Sequence, residues 1–249
     1  TKTEFIKEVT DGLSTPPAYF PMNVMMNKSG YVNIDDVISK GNSPLSPAEF
    51  EIAANKHHAI ILDVRHEKEF IKGFIPRSIF SGIDGNFAPW VGAIIKDVKQ
   101  PILIVGDENR LNEVITRLSR VGFDNTIGYL KGGFEAWEKD GKEIDTLQSV
   151  PTSQFETEYK TNQNPIYDVR KKGEWDTKHI KDAHHVCLSM LHEEIDQFPK
   201  EKNFYVHCAG GYRSVIASSV LKMRGFHNLI NIDEGFDAIQ HASFEFISE

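Results

Sequence analysis

The chain repeats itself. Ala59-Ile60-Ile61-Leu62-Asp63-Val64-Arg65 recurs as Asn164-Pro165-Ile166-Tyr167-Asp168-Val169-Arg170. Glu69-Phe70 with Gly73-Phe74-Ile75 is answered by Glu174-Trp175 with Lys178-His179-Ile180. Gly122-Phe123-Asp124-Asn125 returns as Gly225-Phe226-His227-Asn228, and Gly133-Phe134-Glu135-Ala136 as Gly235-Phe236-Asp237-Ala238. The spacing is 105 residues at Asp63, 103 at Gly122 and 102 at Gly133. Four landmarks in one order at a nearly constant offset mean an internal duplication. With 249 residues, the chain is long enough for two domains that each bury a core.

Each copy alternates short β-rich runs with amphipathic segments. In the first, strands are predicted at Ile60 to Val64, Ile102 to Val105 and Ile127 to Leu130. Between the last two, Leu111, Ile115, Leu118 and Val121 recur with helical period on one face. Gly122 and Gly225 fall where helix C-caps belong. Such alternation implies an α/β fold with a mainly parallel sheet and helices on both faces. Reactive groups then collect at the carboxyl ends of the strands. The chain is expected to divide into an N-terminal tail over 1–45, a first copy over 46–146, a polar linker over 147–163 containing Pro151, and a second copy over 164–249.

The second copy carries a reactive-looking loop. Asn203-Phe204-Tyr205-Val206-His207 reads as an apolar strand, followed by Cys208-Ala209-Gly210-Gly211-Tyr212-Arg213. From Ser214 to Arg224 a helical pattern places Ile216, Val220 and Met223 on one face. Two glycines let the loop curl with its N–H groups aimed at the sulfur. The following helix points its unpaired N–H groups and positive end to the same place. Arg213 adds a permanent positive charge. All three favour an anion on sulfur, the condition for a nucleophilic thiolate.

Other classes are disfavoured. A net charge of -8 and a pI near 5.7 do not suit a nucleic-acid surface, and Lys171-Lys172 reads as a solvated loop. No apolar run reaches the ~20 residues of a membrane span, so no membrane partner is expected. Two cysteines give no disulfide framework, which fits a reducing, cytoplasmic setting. Ten histidines invite a metal, but His57-His58 and His184-His185 are adjacent pairs whose side chains point apart on a strand, so no metal and no cofactor is expected. Cys187, in the apolar run Val186-Cys187-Leu188, reads as a core thiol, with disulfide formation to resolve an adduct on Cys208 as the alternative.

The Asp-Val-Arg, Glu and His-Ile landmarks, the cysteine loop and the late Gly-Phe together resemble the rhodanese (thiosulfate sulfurtransferase-like) domain, in tandem over roughly residues 45 to 245. The resemblance implies a central five-stranded parallel sheet flanked by helices in each domain. It also implies sulfur transfer through a persulfide on Cys208, with a small sulfur-donor molecule and a thiol or cyanide acceptor as partners. Arg213, catalytic together with Cys208, is expected to bind the donor's anionic group and to brace the loop at once. Ala209, Gly210, Gly211, Tyr212 and Ser214 are expected to cradle the transferred sulfur. Ala209 stands where many members have a larger or charged residue, which puts thiosulfate specificity in question. Asp168 and Arg170 are expected to tie loops near the site, His179 to be structural, and His207 to pack on the face opposite Cys208.

In the first copy the nucleophile position falls on Gly106, followed by Asp107 and Glu108, which would repel an anion. That domain is expected to be catalytically inactive. Pro16-Pro17-Ala18-Tyr19-Phe20 and Met26-Asn27-Lys28 resemble the tail that joins a metallo-β-lactamase-fold domain to rhodanese domains in persulfide dioxygenases and related hydrolases. With Thr1 in place of Met, and with no HxHxDH run, this suggests the C-terminal part of such a fusion, serving as its sulfur-handling or scaffold module. Cysteine phosphatases and arsenate reductases share the cysteine, the amide cradle and the arginine. Here, however, four residues separate Cys208 from Arg213, one fewer than those enzymes need to open the cradle to a tetrahedral oxyanion, and no general-acid aspartate is evident.

Overall fold

Two sheets of identical topology carry the duplication. The computed structural model describes residues 1–10 and 19–249. The strands are β1 (Pro44–Leu45), β2 (Ile60–Asp63), β3 (Ile79–Phe80), β4 (Ile102–Val105) and β5 (Thr126–Leu130), then β6 (Ser149–Val150), β7 (Ile166–Asp168), β8 (His179–Ile180), β9 (His184–His185), β10 (Phe204–His207), β11 (Leu229–Ile232) and β12 (Phe246–Ile247). The first sheet has the order β1-β5-β4-β2-β3 and the second β6-β11-β10-β7-β9. Every pairing in both is parallel, while β8 and β12 form a separate antiparallel pair.

The helices are α1 (Lys2–Thr10), α2 (Phe20–Ser29), α3 (Ile34–Gly41), α4 (Pro47–His57), α5 (Glu67–Lys72), α6 (Phe87–Ile94), α7 (Leu111–Ser119) and α8 (Gly133–Lys139), then α9 (Thr152–Asn162), α10 (Lys172–Thr177), α11 (Tyr212–Met223) and α12 (Gly235–Ile239). Leu111, Ile115 and Leu118 of α7 are buried as their period requires, and Val121 is buried just past its end. Gly122 and Gly225 follow their helices with φ of +91° and +90°, a turn that glycine makes without strain.

The central strands are apolar on both faces, as a covered parallel sheet requires. In β4, Ile102 and Ile104 face one core while Leu103 and Val105 face another with Phe50, Phe134 and Trp137. In β10, Phe204, Val206 and then Cys208 belong to the first of these cores, and Tyr205 lies on the opposite face with Phe155 and Phe236. The core on the first face runs unbroken from one copy to the other: Phe80, Ile104 and Ile115 share it with Val206, Ile216 and Val220.

Helix α11 is the element at the seam. Its Ser219 Oγ accepts the N–H of Phe80 at 3.0 Å, on edge strand β3 of the first sheet. Its Lys222 Nζ reaches Asp145 Oδ1 at 3.0 Å and the Thr146 carbonyl at 2.8 Å. Elsewhere on the seam His192 Nε2 donates to the Ile94 carbonyl at 2.6 Å.

Two segments differ from the sequence reading. Residues 147–163, expected as a linker, supply β6 and α9 and so belong to the second sheet and its cover. Their polar composition reflects an edge strand and a helix that buries only Thr152 and Phe155. Residues 34–45, expected within the tail, supply α3 and β1 of the first domain; β1 pairs with β5 through Pro44 and Tyr129. Pro16-Pro17-Ala18 lies outside the described residues, whereas the Tyr19 ring is buried where Gly92 leaves no room for a Cβ, at 2.2 Å. Among the described residues no helix is long and apolar enough to cross a membrane.

Candidate active site

Cys208 follows the carboxyl end of the central strand β10, and α11 begins four residues later. That helix starts at Tyr212, two residues earlier than the periodicity indicates, so its first turn is itself part of the loop. The Gly211 N–H donates to Cys208 Sγ at 3.2 Å. Ser214 Oγ lies 3.6 Å from the sulfur and donates to the Gly211 carbonyl at 2.8 Å. The N–H groups of the helix's first turn have no intrahelical acceptor, which leaves donors at the loop's mouth.

Glycine is obligatory twice here. Gly211 has φ of +95°, and a Cβ on it would lie 2.1 Å from the Asp233 carbonyl oxygen. Gly235 has φ of +59°, and its Cβ would lie 2.3 Å from the Ala209 oxygen and 2.6 Å from that of Cys208. The close approach exists because α12 caps the loop: Phe236 N–H donates to the Cys208 carbonyl at 2.7 Å, and Asp237 N–H to the Ala209 carbonyl at 3.0 Å.

Arg213 braces the loop. Its guanidinium binds Glu174 bidentately, Nη1 to Oε2 at 2.6 Å and Nη2 to Oε1 at 2.7 Å. Glu174 also accepts the Lys171 N–H at 3.0 Å, at the start of α10. Hydrogen bonds from Arg213 hold the Glu174 carboxyl below the usual carboxylate range, and those same bonds to Glu174 hold the guanidinium more firmly protonated. Glu174→Gln is expected to slow any chemistry at Cys208 by about tenfold, the kinetic equivalent of one charge-assisted hydrogen bond. Single-turnover rates with the sulfur donor check this.

Asp168 and Arg170 lie behind the loop. Arg170 Nε binds both Asp168 oxygens at 3.0 and 2.8 Å, its Nη2 reaches Oδ2 at 2.6 Å and the Lys178 carbonyl at 2.8 Å, and its guanidinium stacks 3.7 Å from the Phe236 ring centre. The first copy repeats the clamp: Arg65 Nη2 reaches Asp63 Oδ2 at 2.6 Å and the Gly73 carbonyl at 2.8 Å, under the Phe134 ring. Burial opposes the charge on Asp168, but His207 and the bonded Arg170 more than offset it and hold the carboxyl below the usual range.

His207 is fully buried on the face opposite Cys208, with Nε2 at 3.8 Å from Asp168 Oδ2 and its ring stacked on Phe236. His179 stacks on Trp175 at 3.6 Å and bonds the Trp175 carbonyl at 2.8 Å. Cys187 is not the core thiol expected from its apolar neighbours. It is half-buried at a short helical turn, with Sγ 3.2 Å from Ser189 Oγ.

The sulfur lies at the floor of a cleft of about 580 Å³ lined by Cys208, Gly210, Tyr212, Arg213, Lys171 and Glu174, and by Asn86 and Trp90 of the first domain. Sequence reading missed the last two and the pairing role of Glu174. It also placed Lys171 on a solvated loop, but α10 brings it to the cleft. Tyr212, expected in the cradle, sends its hydroxyl to the Gly82 carbonyl of the first domain at 2.6 Å. Burial pushes that phenol up to about 12.

In the first copy, Gly106 holds the cysteine's position. A Cβ there would lie 2.5 Å from Val64 Cγ2, so Val64 fills the space a side chain would need. Asp107 Oδ1 accepts the Asn109 N–H at 2.9 Å, and Glu108 Oε1 the Gly132 N–H at 2.6 Å, so side-chain carboxylates take up loop amides. Leu111 stands in place of Arg213. Among the described residues, no group of three or more His, Cys, Asp or Glu side chains is placed to hold a metal ion.

The chain is 24% identical over 106 residues to the "Putative sulfur carrier protein YrkF" of Bacillus subtilis (strain 168), covering 42% of this chain and 55% of that protein. It is 27% identical over 90 residues to the uncharacterized protein YqhL of the same organism, covering 36% of this chain and 70% of that one. The chain thus spans only about half the length of the first of these relatives. A thiosulfate sulfurtransferase structure from Pseudomonas aeruginosa aligns over 83% of this chain and 43% of its own, at 19% identity and a TM-score of 0.35. The profile of the rhodanese-like domain matches residues 46–140 and again 152–242, most of the chain, which therefore belongs to the rhodanese-like family.

Proposed function

We propose that the protein is a sulfurtransferase whose chemistry resides in the second domain, on Cys208. The observation that carries this is the sulfur itself: buried at the foot of an open cleft, it accepts the Gly211 N–H at 3.2 Å inside a loop braced by Arg213 and Glu174. The Cys208 thiolate attacks the outer sulfur of thiosulfate, a polysulfide or a persulfide. A Cys208 S–S bond forms as the donor's own bond to that sulfur breaks, and the leaving group (sulfite, from thiosulfate) departs with the electron pair. An acceptor thiolate or cyanide then attacks the outer sulfur, and Cys208 leaves as thiolate. Both steps carry negative charge on sulfur, which the loop amides and the helix N-terminus stabilise.

The first domain is read as inactive in this reaction, since it has no cysteine and Gly106, Val64 and Leu111 replace the site. Intact mass spectrometry tests the proposal. After exposure to thiosulfate or polysulfide the chain should gain one sulfur atom, and Cys208→Ser should gain none. No gain with any donor would defeat it.

A second reading rests on the resemblance of Pro16-Pro17-Ala18-Tyr19-Phe20 and Met26-Asn27-Lys28 to a joining tail: the pair handles persulfide sulfur for a metallo-β-lactamase-fold domain. A gene encoding no HxHxDH motif upstream of this segment would end that reading.

A further inference from the structure

We propose that the first domain positions the reactive loop of the second through Tyr212, so that the cysteine's reactivity depends on a seat built by the copy that lacks one. This rests on Cys208 being the reactive group, as above.

Tyr212 stands between the two residues that define the sulfur's surroundings. Gly211 before it donates the N–H to Sγ, and Arg213 after it holds Glu174. Yet the Tyr212 side chain leaves its own domain. Its hydroxyl donates to the Gly82 carbonyl at 2.6 Å, its ring meets Phe80 edge-on at 5.6 Å, and it closes over Gly82 and Gly85. A Cβ on Gly85 would lie 2.4 Å from the Tyr212 ring, so the seat is shaped to the ring's thickness.

The seat is itself braced. Arg117 Nη1 donates to the Ile83 carbonyl at 2.6 Å, and Arg110 Nη1 binds Asp84 Oδ1 at 2.6 Å. Three consecutive residues, Gly82, Ile83 and Asp84, are thus each fixed by a different side chain. Arg110 occupies in the first copy the position Tyr212 holds in the second, so both loops converge on one segment of the first domain. Ordinary interface packing would not require the anchor to lie next to the amide that touches sulfur. Because one peptide unit separates the ring's attachment from that amide, a displaced ring moves the amide with it. Tyr212 is a positioning residue in this scheme and does not itself touch the transferred sulfur.

The test is a double-mutant cycle read at the sulfur, in a Cys187→Ser background so that only Cys208 can react. The rate of Cys208 alkylation by iodoacetamide is measured for the parent, Gly85→Ala, Tyr212→Ala and both together, with Tm and circular dichroism recorded for each. Gly85→Ala, in the first domain, is expected to slow alkylation about tenfold, since misplacement on the scale of an ångström costs that much or more. In the Tyr212→Ala background the same change is expected to have no further effect, because the ring it would strike is gone. Tyr212→Phe, which keeps the ring and the fold but loses the bond to Gly82, is expected to fall between, and it carries the test if Gly85→Ala does not fold. Parent-like alkylation in a folded Gly85→Ala or in Tyr212→Phe, or an equal Gly85→Ala effect with and without Tyr212, overturns the proposal. Alkylation needs no sulfur donor. A parent that never takes up sulfur would therefore defeat the sulfurtransferase reading and leave this result standing by itself.

Discussion

Gly211→Ala is expected to abolish sulfur uptake by Cys208, whereas Gly210→Ala, one residue earlier, is expected to retain it. The two glycines look alike in sequence but do different work. At Gly211 the backbone is left-handed, φ +95°, and a methyl group would drive into the Asp233 carbonyl at 2.1 Å. The conformation alone costs an alanine about 1–3 kcal/mol. The clash cannot be relieved by a rotamer, because its other party is backbone. The loop must open, and the amide that reaches Sγ goes with it. At Gly210 the backbone needs no positive φ, and a Cβ meets only the flexible Asp237 carboxylate at 3.3 Å. Mass gain after exposure to polysulfide, with Tm alongside, separates the two variants. Equal sulfur uptake would show that the Gly211 amide has no part in holding the anion.

Asp168→Asn is expected to cost the fold about 3–5 kcal/mol, because it strands the buried Arg170 guanidinium without its counter-charge. Both side chains are almost wholly buried, and Arg170 stacks on Phe236, so neither solvent nor a rotamer change offers an easy exit. The equivalent Asp63→Asn should cost less, since the Arg65 side chain is 14% exposed and can turn toward water. The pH dependence has a definite sign. The Asp168 carboxyl is held below its usual range in the folded state, so its contribution is complete above the unfolded-state value of about 3.9. It is lost as the pH falls from there through the folded-state value. The gap between parent and Asp168→Asn in urea unfolding should therefore be full at neutral pH and shrink in acid. A gap that stayed constant down into acid would mean the pair contributes no linked charge.

Much of this is legible in the sequence. Asp63 and Asp168 end equivalent strands and make the same clamp because strand and turn are local chemistry, and local chemistry repeats with sequence. Period-two alternation placed His207 and Cys208 on opposite faces, as observed. What escaped were relations that depend on how distant pieces meet. Glu174 and Arg213 are 39 residues apart, and nothing near either one announces the other. Asn86 and Trp90 line the cleft only because α6 of one copy faces the loop of its twin. The stretch 147–163 looked like a linker because an edge strand of two residues and a mostly exposed helix show little hydrophobic pattern. Cys187 escapes for the opposite reason, since Val186 and Leu188 on either side are buried and it is not.

The contact between Ser219 and β3 has a bearing on how the two copies can be inherited. In the first sheet β3 is an edge strand, and the helix of the other copy supplies the acceptor for its Phe80 N–H and the apolar lid over Phe80. Cut apart, the first half would bare an unsatisfied strand edge, the surface along which chains stick to one another. The second half would lose the seal on one flank of α11. A duplicated gene usually leaves two independent modules. Here the half without a cysteine covers a flank of its twin, so on the proposed function the copy that lacks the nucleophile would still be needed by the copy that carries it.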